Sequence, residues 1–378
     1  MSQAPLVVLT TGGTGGHMFP AEALALELKD RGCRLALITD RRGAAYKGAL
    51  GEVETHSISA GGIAGKGLLG RAKSVVNLGI GSLQARSLLK QLKPACVVGF
   101  GGYASVPTMM AATWAGLKTA IHEQNALLGR ANRLLASRVD RIATSFEIVR
   151  GIPEAATDKI FHTGMPVRPG VAAVRGKPYP TLDSNSPLKI LVLGGSQGAH
   201  IFSEAIPAAL AKLPEDIQQR IHIAQQCRPE DLEEAKTRYE GLAVTSELKT
   251  FFDDVPERLV EAHLVIARSG ASTVAELTAV GRPAILVPYP FAADDHQSYN
   301  AHAMDEAGGG WLMPQDSMTP ETLANRIESL FGLPQTLEKA AAGAIHVGRP
   351  DAAARLADMV MSLLPNGNGN HNDGRAAA

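Results

Sequence analysis

The chain has 378 residues, 45 % of them apolar and 20 % charged, and its 37 Lys and Arg balance 37 Asp and Glu. That length suits two domains of roughly 150 residues each, and the proportions are those of a folded soluble protein rather than a disordered one. Zero net charge argues against wholesale nucleic-acid binding, which needs a basic surface against the phosphate backbone, and leaves room only for local basic patches.

Taken in chain order, the first expected element is a strand, Leu6 to Thr10, running into TGGTGGH (11–17), and a helix follows over Pro20 to Lys29. Strands are expected at Arg34 to Thr39, Ala95 to Phe100, Thr119 to His122 and Arg141 to Thr144, with a helix over Val75 to Leu92. Alternating strand and helix implies a parallel sheet covered on both faces. After the linker GMPVRPG (164–170) and a Pro-rich loop (175–187), LKILVLGGSQGAH (188–200) restarts the same grammar. Further strands are expected at His222 to Gln225, His263 to Ala267 and Ala284 to Val287. The fold class is therefore α/β, two Rossmann-like doubly wound halves in tandem.

We divide the chain into residues 1–164, 165–345, a final helix within 346–364, and a disordered polar tail over 365–378. Cys33, Cys96 and Cys227 are too few and too dispersed for a disulfide frame or a zinc site. The opening MSQAP is no leader peptide and no run reaches 18 apolar residues, so a cytoplasmic chain that spans no membrane is expected.

Ligands of open α/β sheets bind at the carboxyl ends of strands, where helix N-termini offer free N–H groups. The two glycine loops therefore read either as cradles for a phosphate or sugar, or as bare strand-to-helix turns. Neither meets the dinucleotide fingerprint: counting from Gly13, Met18 stands where the third glycine belongs. GGIAGKGL (61–68) likewise lacks the spacing of a phosphate-binding Walker loop. In ARSGASTVAELTAVGRPAILVPYPFAADDHQSYNA (267–301), Glu276 fits a capping box with Thr273 or a ribose-binding carboxylate. Asp295, His296, Gln297 and Asn300 fall on the loop that follows.

Six blocks in order, GGTGGH, GFGGYASVP, HEQN, GMPVR, GGSQGA and RSGASTVAE with DDHQ, closely resemble the MurG family. These are bacterial UDP-N-acetylglucosamine:N-acetylmuramyl-(pentapeptide) pyrophosphoryl-undecaprenol N-acetylglucosaminyltransferases, and the likeness spans residues 6 to 364. It implies a GT-B architecture, two Rossmann-like domains facing a deep cleft, with the last helix crossing back to the first domain. It also implies transfer of N-acetylglucosamine from UDP-N-acetylglucosamine to the C4 hydroxyl of the muramyl unit of lipid I (undecaprenyl-pyrophosphoryl-MurNAc-pentapeptide), giving lipid II with inversion. Donor contacts carried over by motif are Thr14, Gly15 and Gly16 in the first loop, Asn125, Arg168 and Ser196. The Phe252 backbone would meet uracil, Glu276 the ribose and Gln297 the sugar hydroxyls, with Arg268 and the turn to Thr273 along the diphosphate. Met165 departs from the family pattern, which has Asn there. No metal ligand set or cofactor is expected.

His17 is the base candidate for the acceptor proton, since a helix N-terminus disfavours imidazolium by about 0.3–1 kcal/mol and leaves the ring neutral near pH 7. A histidine that only caps its helix is the alternative, and Glu123 and His122 are rival bases. The leaving-group charge would be met by Arg268 and the helix N-terminus after Ser269. A lipid acceptor implies a peripheral place on the cytoplasmic membrane surface, near cell-wall and division proteins. Residues 67–93 mix apolar side chains with Arg71, Lys73, Arg86, Lys90 and Lys93 and no acid. They read as an interfacial patch aided by Trp114, or as a core helix with a solvated basic side. The competing functions are a UDP-N-acetylglucosamine 2-epimerase, another GT-B sugar transferase, and a UDP-sugar-binding regulator without turnover.

Overall fold

A computed structural model describes residues 4–12, 15–41, 43–45, 48–60, 68–183, 186–195 and 198–365. The expectations for Thr14, for Ser196, for the start of the basic apolar stretch at Gly67 and for the tail from 366 onward lie outside the described residues.

The first half contains β1 (Leu6–Thr11), β2 (Arg34–Thr39), β3 (Glu54–Ser57), β4 (Cys96–Gly99), β5 (Lys118–Glu123), β6 (Arg141–Thr144) and β7 (Ile160–His162). Its helices are α1 (Gly15–Asp30), α2 (Leu68–Leu92), α3 (Ser105–Trp114) and α4 (Arg130–Leu135). After the linker helix α5 (Pro169–Ala173), the second half contributes β8 (Leu188–Leu193), β9 (Ile221–Gln226), β10 (Thr245–Lys249), β11 (Leu264–Ala267), β12 (Ala284–Leu286) and β13 (Gly310–Leu312). Its helices are α6 (His200–Leu210), α7 (Glu215–Gln218), α8 (Leu232–Tyr239), α9 (Val255–Glu261), α10 (Ala271–Val280), α11 (His296–Glu306), α12 (Pro320–Gly332), α13 (Pro334–Val347) and α14 (Ala352–Met361).

Among the described residues these strands form two sheets, in the orders β3-β2-β1-β4-β5-β6-β7 and β10-β9-β8-β11-β12-β13. Every pairing is parallel, with Val8 between Ala36 and Val97 in the first and Val192 between Gln225 and Ile266 in the second. Strand order reverses between β1 and β4 and again between β8 and β11. Open α/β sheets bind ligands at such switch points, and the glycine loops sit at both.

Central strands such as LVVLTT are buried along their whole length, as strands covered on both faces must be. Val7 and Leu9 pack with Leu24 and Leu28 of α1, whereas Leu6 and Val8 pack on the other face with Leu89 and Met109. The strands absent from the sequence reading are the edges, β3 (ETHS), β7, β10 (TSELK) and β13. Each pairs on one side only, and β3 and β10 carry mostly exposed or half-exposed side chains. The first helix also begins at Gly15, five residues before the expected Pro20.

α14 belongs to the first half's core: Leu356, Val360 and Leu363 share a cluster with Leu24 and Leu28, and Arg31 donates to Asp358 and to the Ala354 carbonyl. In the second half Arg282 is fully buried. Its guanidinium donates to the carbonyls of Leu259 (2.7 Å), Val260 (2.8 Å), Val280 (2.8 Å), Gly281 (2.9 Å) and Pro178 (3.1 Å). One side chain thus satisfies the last carbonyls of both α9 and α10, which have no partner within their helices. Among the described residues no helix is long and apolar enough to cross a membrane.

Candidate active site

Two loops meet above β1 and β4. The Gly12 N–H donates to the Gly101 carbonyl at 3.3 Å, and Gly101 and Gly102 take φ of 82° and 74°, a left-handed backbone that glycine adopts without a Cβ penalty. A Cβ on Gly102 would stand 3.2 Å from the Gly12 Cα and 3.4 Å from His17 Cδ2. The imidazole of His17, in the first turn of α1, is therefore clasped by both loops. Burial pushes its pKa below the ordinary histidine value, and hydrogen bonding to Gln124 and the Phe100 carbonyl pulls partly back. His17 is neutral at pH 7 as expected, but the leading cause is desolvation rather than the helix end.

Glu123 does not stand ready as a base. It is 1 % exposed, and its carboxylate accepts from the Asn125 N–H (3.0 Å), the Gly129 N–H (2.9 Å) and Asn132 Nδ2 (2.8 Å). It shapes the loop that presents Asn125. His122 is not free either. Its Nδ1 accepts from Gln124 Nε2 at 3.1 Å, its Nε2 donates to the Gly164 carbonyl at 3.4 Å, and burial lowers its pKa to about 4. Gln124, which the sequence reading did not single out, links the Phe100 carbonyl (2.9 Å) to this ring.

In the second half α10 starts at Gly270 with no side-chain cap, so the first N–H groups of the helix are open to an anion. Gly270 as N-cap overturns the capping-box reading, because Glu276 is then the sixth helical residue instead of the third. Glu276 is instead gripped by Arg168, with Nε to Oε1 at 2.6 Å and Nη2 to Oε2 at 2.8 Å. Two residues expected to hold the donor thus meet, paired with each other. Thr273 lies half-buried in the first turn of α10.

Arg268 departs from expectation. Only 8 % exposed, it donates to the carbonyls of Val287 (3.2 Å) and Pro288 (3.0 Å) and to Gln315 Oε1 (2.6 Å). Its guanidinium is taken up by these three acceptors and braces the end of β12. The Phe252 ring is buried under the Arg258 guanidinium, 4.2 Å from the ring centre, so only its backbone is available to a base. Gln297 Oε1 accepts the Tyr289 N–H at 2.9 Å. Gly15 and Gly16 form the start of α1, and a Cβ on Gly16 would meet no atom within 4 Å.

The halves touch through α11 and the turn before it. Asn300 reaches Asn125 and Ala126, and the Arg150 guanidinium lies 5.3 Å from the Tyr299 ring centre. Arg130 clasps Asp294 with Nε to Oδ2 at 2.9 Å and Nη2 to Oδ1 at 2.6 Å. Asp294 and Asp295 hold φ of 54° and 55°, a conformation that costs non-glycine residues about 1–2 kcal/mol each. On the outer face of the first half, Val76, Ile80 and Leu83 form an exposed apolar stripe along α2, with Trp114 exposed on the adjacent α3. Arg86 and Lys90 are exposed nearby on α2.

Residues 7–144 match the glycosyltransferase family 28 N-terminal domain and residues 189–356 the family 28 C-terminal domain. The chain is 61 % identical over 368 residues to a Paramagnetospirillum magneticum protein, covering 97 % of this chain and 99 % of that one. That relative is called UDP-N-acetylglucosamine–N-acetylmuramyl-(pentapeptide) pyrophosphoryl-undecaprenol N-acetylglucosamine transferase. A Rhodospirillum rubrum protein of the same name is 54 % identical over 94 % of this chain and 92 % of its own. Among solved structures, Acinetobacter baumannii MurG superposes with a TM-score of 0.77 at 28 % identity, covering 95 % of this chain and 99 % of that one.

Proposed function

The chain belongs to glycosyltransferase family 28, and on that premise we propose that it transfers N-acetylglucosamine from UDP-N-acetylglucosamine to the C4 hydroxyl of the MurNAc unit of lipid I. The observation that carries this reading is the pairing of a half-buried His17 of lowered pKa at one switch point with an uncapped helix N-terminus at the other.

In the reaction His17 takes the proton of the acceptor C4 hydroxyl as its oxygen attacks the anomeric carbon. The bond from that carbon to the diphosphate oxygen breaks on the opposite face, which inverts the centre, and its electron pair leaves with UDP. The N–H groups at the start of α10 meet the developing charge on the diphosphate, stabilisation that needs no reorganisation during the step. Glu276, oriented by Arg168, accepts hydrogen bonds from the ribose hydroxyls in this reading, so donor entry trades part of that ion pair for new partners. Residues 1–164 take the acceptor and residues 165–345 the donor.

The stripe of Val76, Ile80, Leu83 and Trp114 with Arg86 and Lys90 suits an anionic bilayer surface, where the lipid tail of the acceptor is anchored. The enzyme would work there as a peripheral protein beside cell-wall and division proteins.

The test is a radiolabelled transfer assay with UDP-N-acetylglucosamine and a short-chain lipid I analogue, run with excess chelator and again with magnesium. Label in a lipid II-like product in both is expected. Transfer only with magnesium would remove the α10 N-terminus as the main stabiliser of the leaving group. No transfer in either, with UDP-N-acetylmannosamine formed in the absence of acceptor, would replace the transferase by an epimerase.

A further inference from the structure

Asn300 was read from sequence as one polar residue of a rim loop, yet it is 0 % exposed and its amide bonds to both sides of the division between the halves, to Asn125 and Ala126 of the first and to Ser269 of its own. Its Oδ1 accepts the Ala126 N–H at 2.8 Å. Its Nδ2 donates to Asn125 Oδ1 at 3.0 Å and to the Ser269 carbonyl at 3.0 Å. The orientation of the amide is fixed by these partners, because a backbone N–H requires the oxygen and a carbonyl requires the nitrogen. Asp at this position would set a second acceptor against Asn125 Oδ1 and the Ser269 carbonyl.

The two ends of this bridge are the two sides of the site. Asn125 and Ala126 directly follow Gln124, which lies against His17, and the same loop is shaped by Glu123. Ser269 precedes Gly270, the residue from which α10 begins. One side chain therefore sets the spacing between the base and the N–H groups that receive the leaving group. Its own helix carries Gln297 one turn earlier. The surface bridge between Arg130 and Asp294 spans the same division, but half of the Arg130 side chain is in solvent, where an ion pair contributes little. Asn300 makes a fully buried connection.

Resting on the transferase reading above, we propose that Asn300 is a positioning residue for the transfer step, holding the acceptor-side base and the donor-side helix in register without touching either substrate. An in-line displacement is sensitive to such register: a misplacement of about 1 Å costs on the order of 10²-fold in rate. UDP alone contacts mainly the second half and is indifferent to it.

The experiment compares wild type with Asn300→Ala and Asn300→Ser in the lipid I transfer assay and measures UDP affinity by calorimetry. For Asn300→Ala, kcat is expected to fall about a hundredfold while the Kd for UDP stays within about threefold. Asn300→Ser retains a short donor and should lose about tenfold, and it carries the test if the alanine variant does not fold. A kcat within about threefold of wild type in a folded variant overturns the proposal. So does a UDP affinity that falls in step with kcat, since that marks a residue that merely builds the donor pocket. Wild type lacking transfer altogether strikes the transferase reading, and this inference falls with it.

Discussion

Replacing His122 by Gln should flatten the acid sensitivity of the fold. The ring is fully buried, with Nδ1 facing Gln124 and Nε2 facing the Gly164 carbonyl, and its pKa is lowered to about 4. In the unfolded chain the value returns to about 6.5. Between those values the unfolded state binds a proton that the folded state refuses, so stability is intact above about pH 6.5 and is lost as the pH falls. At about pH 5 the loss from this one group is about 2 kcal/mol, the 1.5-unit gap at about 1.4 kcal/mol per unit. Gln keeps a donor and an acceptor but does not titrate. Urea unfolding followed by circular dichroism at about pH 7.5 and about pH 5 should show wild type losing about 2 kcal/mol more than the variant. An equal loss in both would mean that His122 is charged or exposed in the native state, and the account of the network behind His17 would be wrong.

His17→Ala should lower kcat by about 10²–10⁴. Because burial lowers the pKa of His17, the acid limb of kcat/KM in wild type should lie below the ordinary histidine value; a limb above it, or a loss under tenfold, removes His17 as the base. Glu123→Gln turns an NH₂ toward one of three N–H donors and should cost about 1–3 kcal/mol in unfolding free energy. The acid limb should not move; a shifted limb would return Glu123 to the chemistry. Arg282→Met leaves the terminal carbonyls of α9 and α10 without their buried donor and should destabilise by about 1–3 kcal/mol for each carbonyl that stays unsatisfied, with a Tm shift under 2 °C refuting that role.

The layout of the fold was legible because central strands advertise themselves: LVVLTT is buried along its whole length and LKILVL nearly so, and they can be little else. The edges β3 and β10 were not, since ETHS and TSELK gain their strand geometry from one neighbour. Glycine loops at matching places pointed to both switch points, and both lie there. The partners of charged side chains were not legible. Arg268 and Glu123 have the residue types a transferase site needs, yet Val287, Pro288 and Gln315 claim the guanidinium, and Asn125, Gly129 and Asn132 the carboxylate. These partners come from loops and from α4, whose mutual placement only the folded chain sets. Asn300 was visible as a letter, but its three partners lie 31 or more residues away.

α14 closes the first half with residues made after the whole of the second sheet. While the chain grows from its N-terminus, Leu24 and Leu28 of α1 emerge more than 300 residues before Leu356, Val360 and Leu363 arrive to cover them. At about 5–20 residues per second the first half waits on the order of tens of seconds with an apolar helix face open. The second half can bury its own clusters in the meantime. Folding order then runs against synthesis order, and the first half is completed only after the second. A nascent chain stalled anywhere before α14 presents that open face to chaperones and to other chains, which makes the α14 turns a checkpoint on biogenesis.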